Sequence, residues 1–155
     1  MFIEHSPLIK TELLSHLQAL LTEKTSAIQA DITSTLSARN TDTKSSAGDK
    51  HEVGRAMIQQ ELDQQEAQLA KLHALQQELA RVPLDRVYDR VAFGSLVTTD
   101  QGRYFIAIGL GQVEVDGGVV FTVSLVSPIG QALKDKRVGE EVVFNGRMLV
   151  VRDII

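Results

Sequence analysis

The chain has 155 residues, of which 43% are hydrophobic and 23% charged, a composition typical of one folded domain or two small ones. The formal net charge is −4, and neither half is basic, so binding of nucleic acid through phosphate contacts is not expected. There is no cysteine, which excludes disulfides, thiolate zinc sites and a cysteine nucleophile.

The sequence also carries no sign of a membrane partner. No apolar run approaches the roughly 18 residues that a membrane span needs. The first ten residues, MFIEHSPLIK, do not combine a basic region with a following apolar one, as a signal peptide would. We therefore expect a protein of the cytoplasm.

The first predicted element is a long helix. Ser6 can cap free backbone N–H groups, and Pro7 is tolerated at the first helical position. Apolar residues then recur near heptad positions, as an amphipathic helix requires. They are Leu14, Leu17, Leu21 and Ile28, with Thr35 as a later member and Leu13, Leu20, Ala27 and Ile32 at the edges of the stripe.

A polar stretch, NTDTKSSAGDKHE at 40–52, separates this helix from a second one. The second helix has a clearer three-to-four spacing of apolar residues, interrupted by Gln65 and Gln76. The apolar positions are Ile58, Leu62, Leu69, Leu72 and Leu79. Two long helices joined by one loop predict an antiparallel coiled-coil hairpin over 1–82, with its tip at about 38–50.

The composition changes at Pro83, which ends the helical pattern. Valine, isoleucine and glycine become frequent over 83–155, and we expect roughly five strands, with the first in VAFGSLVTTD. Asp116-Gly117-Gly118 and Asn145-Gly146 are typical hairpin turns. Ser127 and Pro128 predict the start of one short helix. The expected fold class is α+β, a helical hairpin followed by a small sheet domain.

Two motifs stand out in the second half of the chain, SPIGQALKDKRVGEEV at 127–142 and Ala92-Phe93-Gly94-Ser95. The first is similar to the C-terminal signature of the Gre family of transcript-cleavage factors, and the second is similar to the opening of the sheet domain of that family. The order of helical hairpin and sheet domain also matches. The resemblance implies an FKBP-like sheet domain that docks on bacterial RNA polymerase, and a coiled coil that enters the secondary channel of the polymerase.

The same resemblance implies a role for the tip of the coiled coil. Acidic tip residues in the family help to hold a Mg²⁺ ion shared with the polymerase, which cuts backtracked RNA, so the factor is an accessory and not itself an enzyme. The Ser-Pro-x-Gly turn of the family faces the polymerase. Carried over to this chain, that turn makes Ser127, Pro128 and Ile129 the expected partner contacts.

The tip of this chain departs from the family pattern of an Asp and a Glu three residues apart. Asp49 aligns with the family Glu, Ser46 takes the place of the Asp, and Asp42 is the other acid before Asp49. Asp42, Asp49 and Glu52 are the candidate catalytic residues, with Asp42 and Asp49 as metal ligands. The alternative is a capping box, in which Asp49 caps the second helix and Glu52 reaches back to it.

Several functions therefore stay open. A Gre-like factor would either stimulate cleavage of backtracked RNA or occlude the channel without cleavage. A coiled-coil interaction scaffold would be a dimer, whereas a Gre-like factor should be a monomer when free. A prolyl isomerase would need an aromatic pocket, but Phe93, Phe105, Phe121 and Phe144 are better explained as core. Gly109-Leu110-Gly111 lacks the features of a nucleotide loop and predicts a bend in a strand.

Overall fold

The computed structural model describes residues 6–42, 48–115 and 118–155. Two long helices come first and are followed by a mixed sheet of six strands and one short helix. The helices are α1 (Ser6–Asp42), α2 (Gly48–Ala80) and α3 (Pro128–Leu133). The strands are β1 (Leu96–Thr99), β2 (Gly102–Ile106), β3 (Gly111–Val115), β4 (Gly118–Val123), β5 (Glu141–Phe144) and β6 (Arg147–Ile154). The α+β class and the order of helical hairpin and sheet domain are those that the sequence predicts.

By their internal contacts, the residues group into two compact units. One comprises residues up to Leu17 together with Glu78–Ile155, and the other comprises Gln18–Gln77. The sequence predicts two domains that are continuous along the chain, with a boundary after Val82. The two units are instead defined by contacts, and the start of α1 and the end of α2 belong to the unit that contains the sheet.

Within Gln18–Gln77 the apolar stripes of the two helices supply the buried side chains. Leu21 and Leu62 are buried, and Ile28 is half-buried. A polar contact joins the two helices, because Gln65 Nε2 donates a hydrogen bond to Thr35 Oγ1 at 3.1 Å. Ala27, which the sequence places at the edge of the stripe, is exposed.

The sheet has the strand order β3-β4-β2-β1-β6-β5. Strands β2 and β4 pair in parallel, with Tyr104 opposite Phe121, and the other neighbouring strands pair antiparallel. Six strands form where roughly five were expected. Between β2 and β4 the chain runs through β3, which pairs antiparallel with β4 at the edge of the sheet.

The first strand is shorter than predicted. The sequence places its start near Val91, but β1 begins only at Leu96. The residues before it form a turn, in which Gly94 has a φ of 89° and Ser95 Oγ donates to Ala92 O at 2.7 Å. Because the hydrogen-bonding groups of these residues are used within the turn, the strand begins only after Ser95.

The predicted Asn145-Gly146 turn is confirmed. Phe144 pairs with Arg147, and Asn145 and Gly146 have φ values of 50° and 75°, the left-handed values of a two-residue hairpin turn. In the other predicted hairpin, Val115 pairs with Gly118, while Asp116 and Gly117 lie outside the described residues. Gly109-Leu110-Gly111 was expected to bend within a strand, but the strand ends earlier: Gly109 and Leu110 lie in the connection between β2 and β3, and Gly111, with a φ of 78°, begins β3.

One face of the sheet carries a buried apolar cluster that includes the inner side of α3. Its members are Tyr88, Val91, Val97, Ile106, Leu133, Val142, Leu149, Val151 and Ile154. Burial of this area is the main stabilising contribution to the sheet domain. In the part of the chain that the structure describes, no helix is both long and apolar enough to cross a membrane.

Candidate functional site

The predicted tip acids lie at the ends of the two long helices. Asp42 is the last residue of α1, and Asp49 is the second residue of α2, which begins at Gly48. The alternative prediction, a capping box of Asp49 and Glu52, is not tested, because the bonds it needs involve the Asp49 side chain. The side chains of Asp42 and Asp49 are outside the described residues, and that of Glu52 is exposed.

Metal ligation by the tip therefore stays a prediction. Among the side chains that the structure describes, no group of three or more His, Asp or Glu residues is placed to hold a metal ion. Asp42 and Asp49 are separated by six residues, of which 43–47 are not described. Carboxylates are suitable ligands for Mg²⁺, a hard cation that prefers oxygen.

The second candidate site is the turn before α3. Ser127 has extended backbone angles, φ −67° and ψ 160°, and its Oγ accepts a hydrogen bond from Gly130 N at 3.1 Å. The same hydroxyl donates to Ser124 O at 2.7 Å. Pro128 follows at the start of the helix. The predicted cap is thus confirmed, and it fixes the backbone of the turn through both functions of one hydroxyl.

The turn presents apolar surface to solvent. Pro128 is exposed, and Val126 beside it is 83% exposed. Ile129 is half-buried because one side of it packs against the core cluster. Gln131 Nε2 donates to Leu125 O at 2.8 Å and holds the preceding segment against the helix. The result is a hydrogen-bonded turn with exposed apolar surface, which suits contact with a protein partner.

A close backbone approach beneath the turn was not predicted from the sequence. Gly130 is buried, and a Cβ atom built on it would overlap Ser124 O and lie 2.9 Å from Leu125 O. Any side chain at this position would therefore push the helix away from the preceding segment. Glycine in a short helix is the available signal, since it costs helix propensity and usually has a packing reason.

A buried lysine near the start of α1 was also not predicted. Lys10 is 3% exposed; its Nζ lies 4.5 Å from the centroid of the Tyr88 ring and donates to Ile155 O at 3.3 Å. The Arg86 guanidinium lies 4.8 Å from the same ring centroid. Burial, reinforced by the positive charge of Arg86, lowers the pKa of Lys10 from 10.5 to about 8.

Tyr88 connects this cluster to the opening turn of the sheet domain. Its hydroxyl donates to Phe93 O at 2.9 Å, and burial raises the pKa of that hydroxyl despite the opposing effect of Arg86. A Cβ atom on Gly94 would come too close to the Tyr88 hydroxyl. Gly94 of the Ala92-Phe93-Gly94-Ser95 motif thus has a structural role, because its left-handed φ and its close approach to the Tyr88 hydroxyl both disfavour a side chain.

No family model matches the chain, and neither does any curated protein. Among solved structures, the chain is distantly similar to that of the transcription factor Gfh1, with 19% sequence identity and a TM-score of 0.35 over 88% of this chain and 92% of that chain.

Proposed function

We propose that this protein is a Gre-like regulator of transcription elongation that binds bacterial RNA polymerase and inserts its helical hairpin into the secondary channel. The observation that carries the proposal is the Ser127-Pro128-Ile129-Gly130 turn. It is the motif that resembles the partner-facing turn of Gre factors, and in this chain it is capped, fixed and exposed at Pro128.

The helical pair supports the same proposal. Helices α1 and α2 contain 37 and 33 residues, which correspond to lengths of about 55 and 50 Å at 1.5 Å per residue. A pair of this length, joined at the polar segment around Asp42 and Asp49, suits a probe that carries polar residues far into a channel. The protein acts in this proposal as an accessory, and the cleavage chemistry belongs to the polymerase.

Two modes of action follow from the tip. If Asp42 and Asp49 hold Mg²⁺, the ion would stabilise the attacking and leaving oxygens of the displacement in RNA cleavage. If they do not, the hairpin occludes the channel without cleavage. Ser46 stands where the Gre pattern has an aspartate, and this substitution favours occlusion.

The test separates binding from cleavage. Binding of the labelled chain to RNA polymerase is measured by fluorescence anisotropy, and cleavage is measured as Mg²⁺-dependent shortening of RNA in a stalled, backtracked complex. Binding with shortening that is lost in Asp42→Asn and Asp49→Asn, but kept in the exposed control Glu61→Gln, supports a cleavage factor. Binding without shortening, together with competition against a genuine cleavage factor, supports occlusion. Absence of binding overturns the proposal.

A further inference from the structure

A groove lies where the β5–β6 hairpin meets the β1–β2 turn. Its volume is about 360 Å³, within the range of ordinary binding pockets. The residues that line it are Gln101, Tyr104, Phe144, Asn145, Arg147 and Leu149. None of them belongs to the α3 turn or to the helical hairpin, so the groove is separate from both candidate sites described above.

The floor of the groove is apolar and fixed. Leu149 is 3% exposed and belongs to the buried cluster, while Tyr104 and Phe144 pack against that cluster and remain half-exposed. The Tyr104 ring also stacks on Phe121, with centroids 5.5 Å apart and planes inclined by 26°. A floor anchored in this way is preformed for an apolar side chain and needs little ordering on binding.

The rim of the groove is polar and carries one positive charge, that of Arg147. Gln101, Asn145 and Arg147 are exposed, and none of the six lining residues is acidic. Within the described part of the chain, the Arg147 guanidinium makes neither an ion pair nor a side-chain hydrogen bond. The Asn145-Gly146 turn fixes the register that places Arg147 opposite Phe144. The N–H donors of the Arg147 guanidinium are therefore available beside the apolar floor, and their planar arrangement suits a carboxylate.

We propose that this groove binds a short acidic peptide segment of a partner protein, in which one leucine or phenylalanine side chain is flanked by carboxylates. The apolar side chain would lie on Tyr104, Phe144 and Leu149. Arg147 would pair with a flanking carboxylate, and the amides of Gln101 and Asn145 would bond to the peptide backbone. A nucleotide suits the groove less well, because its lining offers a single cation and no helix N-terminus for phosphate.

The proposal does not depend on polymerase binding, and it is tested on the full chain alone. Capped peptides of sequence EELEE, EEFEE, EEAEE and KKLKK are titrated to a few millimolar while ¹H–¹⁵N NMR spectra are recorded. Saturable shifts at the backbone amides of Tyr104, Asn145 and Arg147 are expected with EELEE and EEFEE. Affinity for EEAEE and KKLKK should be at least about fivefold weaker, which corresponds to about 1 kcal/mol.

A charge-reversal variant provides the more decisive test. Arg147→Glu should invert the preference, so that KKLKK binds more tightly than EELEE. Arg152→Glu is the matched control, because Arg152 is an exposed arginine of the same strand that does not line the groove, and it should leave the preference unchanged. The proposal is overturned if no acidic peptide gives saturable shifts, if Arg147→Glu keeps the original preference, or if AMP shifts the groove amides and the peptides do not.

Discussion

Lys10 Nζ lies over the aromatic ring of Tyr88, 4.5 Å from the ring centroid, and donates a hydrogen bond to Ile155 O. An almost fully buried ammonium group thus links the first turns of α1 to the last residue of the sheet domain. The contacts offset the cost of burying the charge only in part, because the pKa of Lys10 falls to about 8.

This lowered pKa predicts that the protein becomes more stable as the pH rises from 8 to 10. Over this interval the folded state has released the Lys10 proton and the unfolded state still binds it, so the free energy of unfolding increases, by at most about 1.4 kcal/mol per pH unit. Lys10→Met should abolish this rise. Urea unfolding at several pH values measures it.

Two details make that measurement specific. The raised pKa of Tyr88 acts with the opposite sign once an unfolded tyrosine begins to ionise, at about pH 9, so the slope is measured between pH 8 and about 9. Lys71→Met removes an exposed lysine of α2 and should leave the rise intact. An equal rise in wild type and Lys10→Met would contradict the assignment.

The close approach of Gly130 to Ser124 O predicts that Gly130→Ala destabilises the sheet domain. The added methyl group would overlap a backbone oxygen that cannot rotate away, and such overpacking costs about 1–3 kcal/mol. Gly109→Ala is the matched control, because a Cβ atom there would have no neighbour within 4 Å. Its effect on unfolding by urea should stay within about 0.5 kcal/mol. Equal stabilities of the two variants would show that the turn can shift without cost.

Much of the fold could be predicted from the sequence, because its signals are local. The spacing of Leu14, Leu17 and Leu21 defines one helix face, and those residues are buried. Asn145-Gly146 specifies a hairpin turn through the left-handed φ values that these two residues tolerate. The parallel pairing of β2 with β4 joins residues distant along the chain, and no local pattern specifies it.

The sites were less predictable, because they depend on contacts between distant segments. Lys10 shares a helix face with Leu13, Leu14 and Leu17, and this position was the available signal of its burial. That Tyr88 and Ile155 would receive it follows only from the tertiary structure. Ser127 was predicted correctly as a cap because capping acts over three residues.

The polar contact between the long helices leads to another prediction. Gln65 Nε2 donates to Thr35 Oγ1, but Gln65 Oε1 is buried without a hydrogen-bond partner among the described residues. Thr35 Oγ1 also donates to Asp31 O at 2.9 Å, so it keeps a partner if Gln65 is replaced. Gln65→Leu should therefore stabilise the helical pair by about 1–2 kcal/mol, since it removes an unpaired buried oxygen.

Thermal unfolding followed by helical circular dichroism measures that effect. Gln64→Leu is the control, because Gln64 is the exposed neighbour of Gln65, and it should change stability by less than about 0.5 kcal/mol. A lower midpoint for Gln65→Leu than for wild type would mean that the Thr35–Gln65 bond stabilises the pair more than the unpaired oxygen destabilises it.

Substitutions in the α3 turn can distinguish a loss of partner binding from a loss of stability. Pro128 is exposed, and its ring makes none of the hydrogen bonds that fix the turn, so Pro128→Ala should lower stability by less than about 1 kcal/mol. On the proposed function, it should weaken binding to RNA polymerase about fivefold to tenfold, or about 1–1.4 kcal/mol.

Ser127→Ala should in addition destabilise the domain by about 1 kcal/mol, because the cap is lost. Anisotropy titrations and urea unfolding of the same samples measure both quantities, with the exposed residue change Lys134→Ala as control. Unchanged affinity in Pro128→Ala would place the polymerase contact elsewhere on the protein.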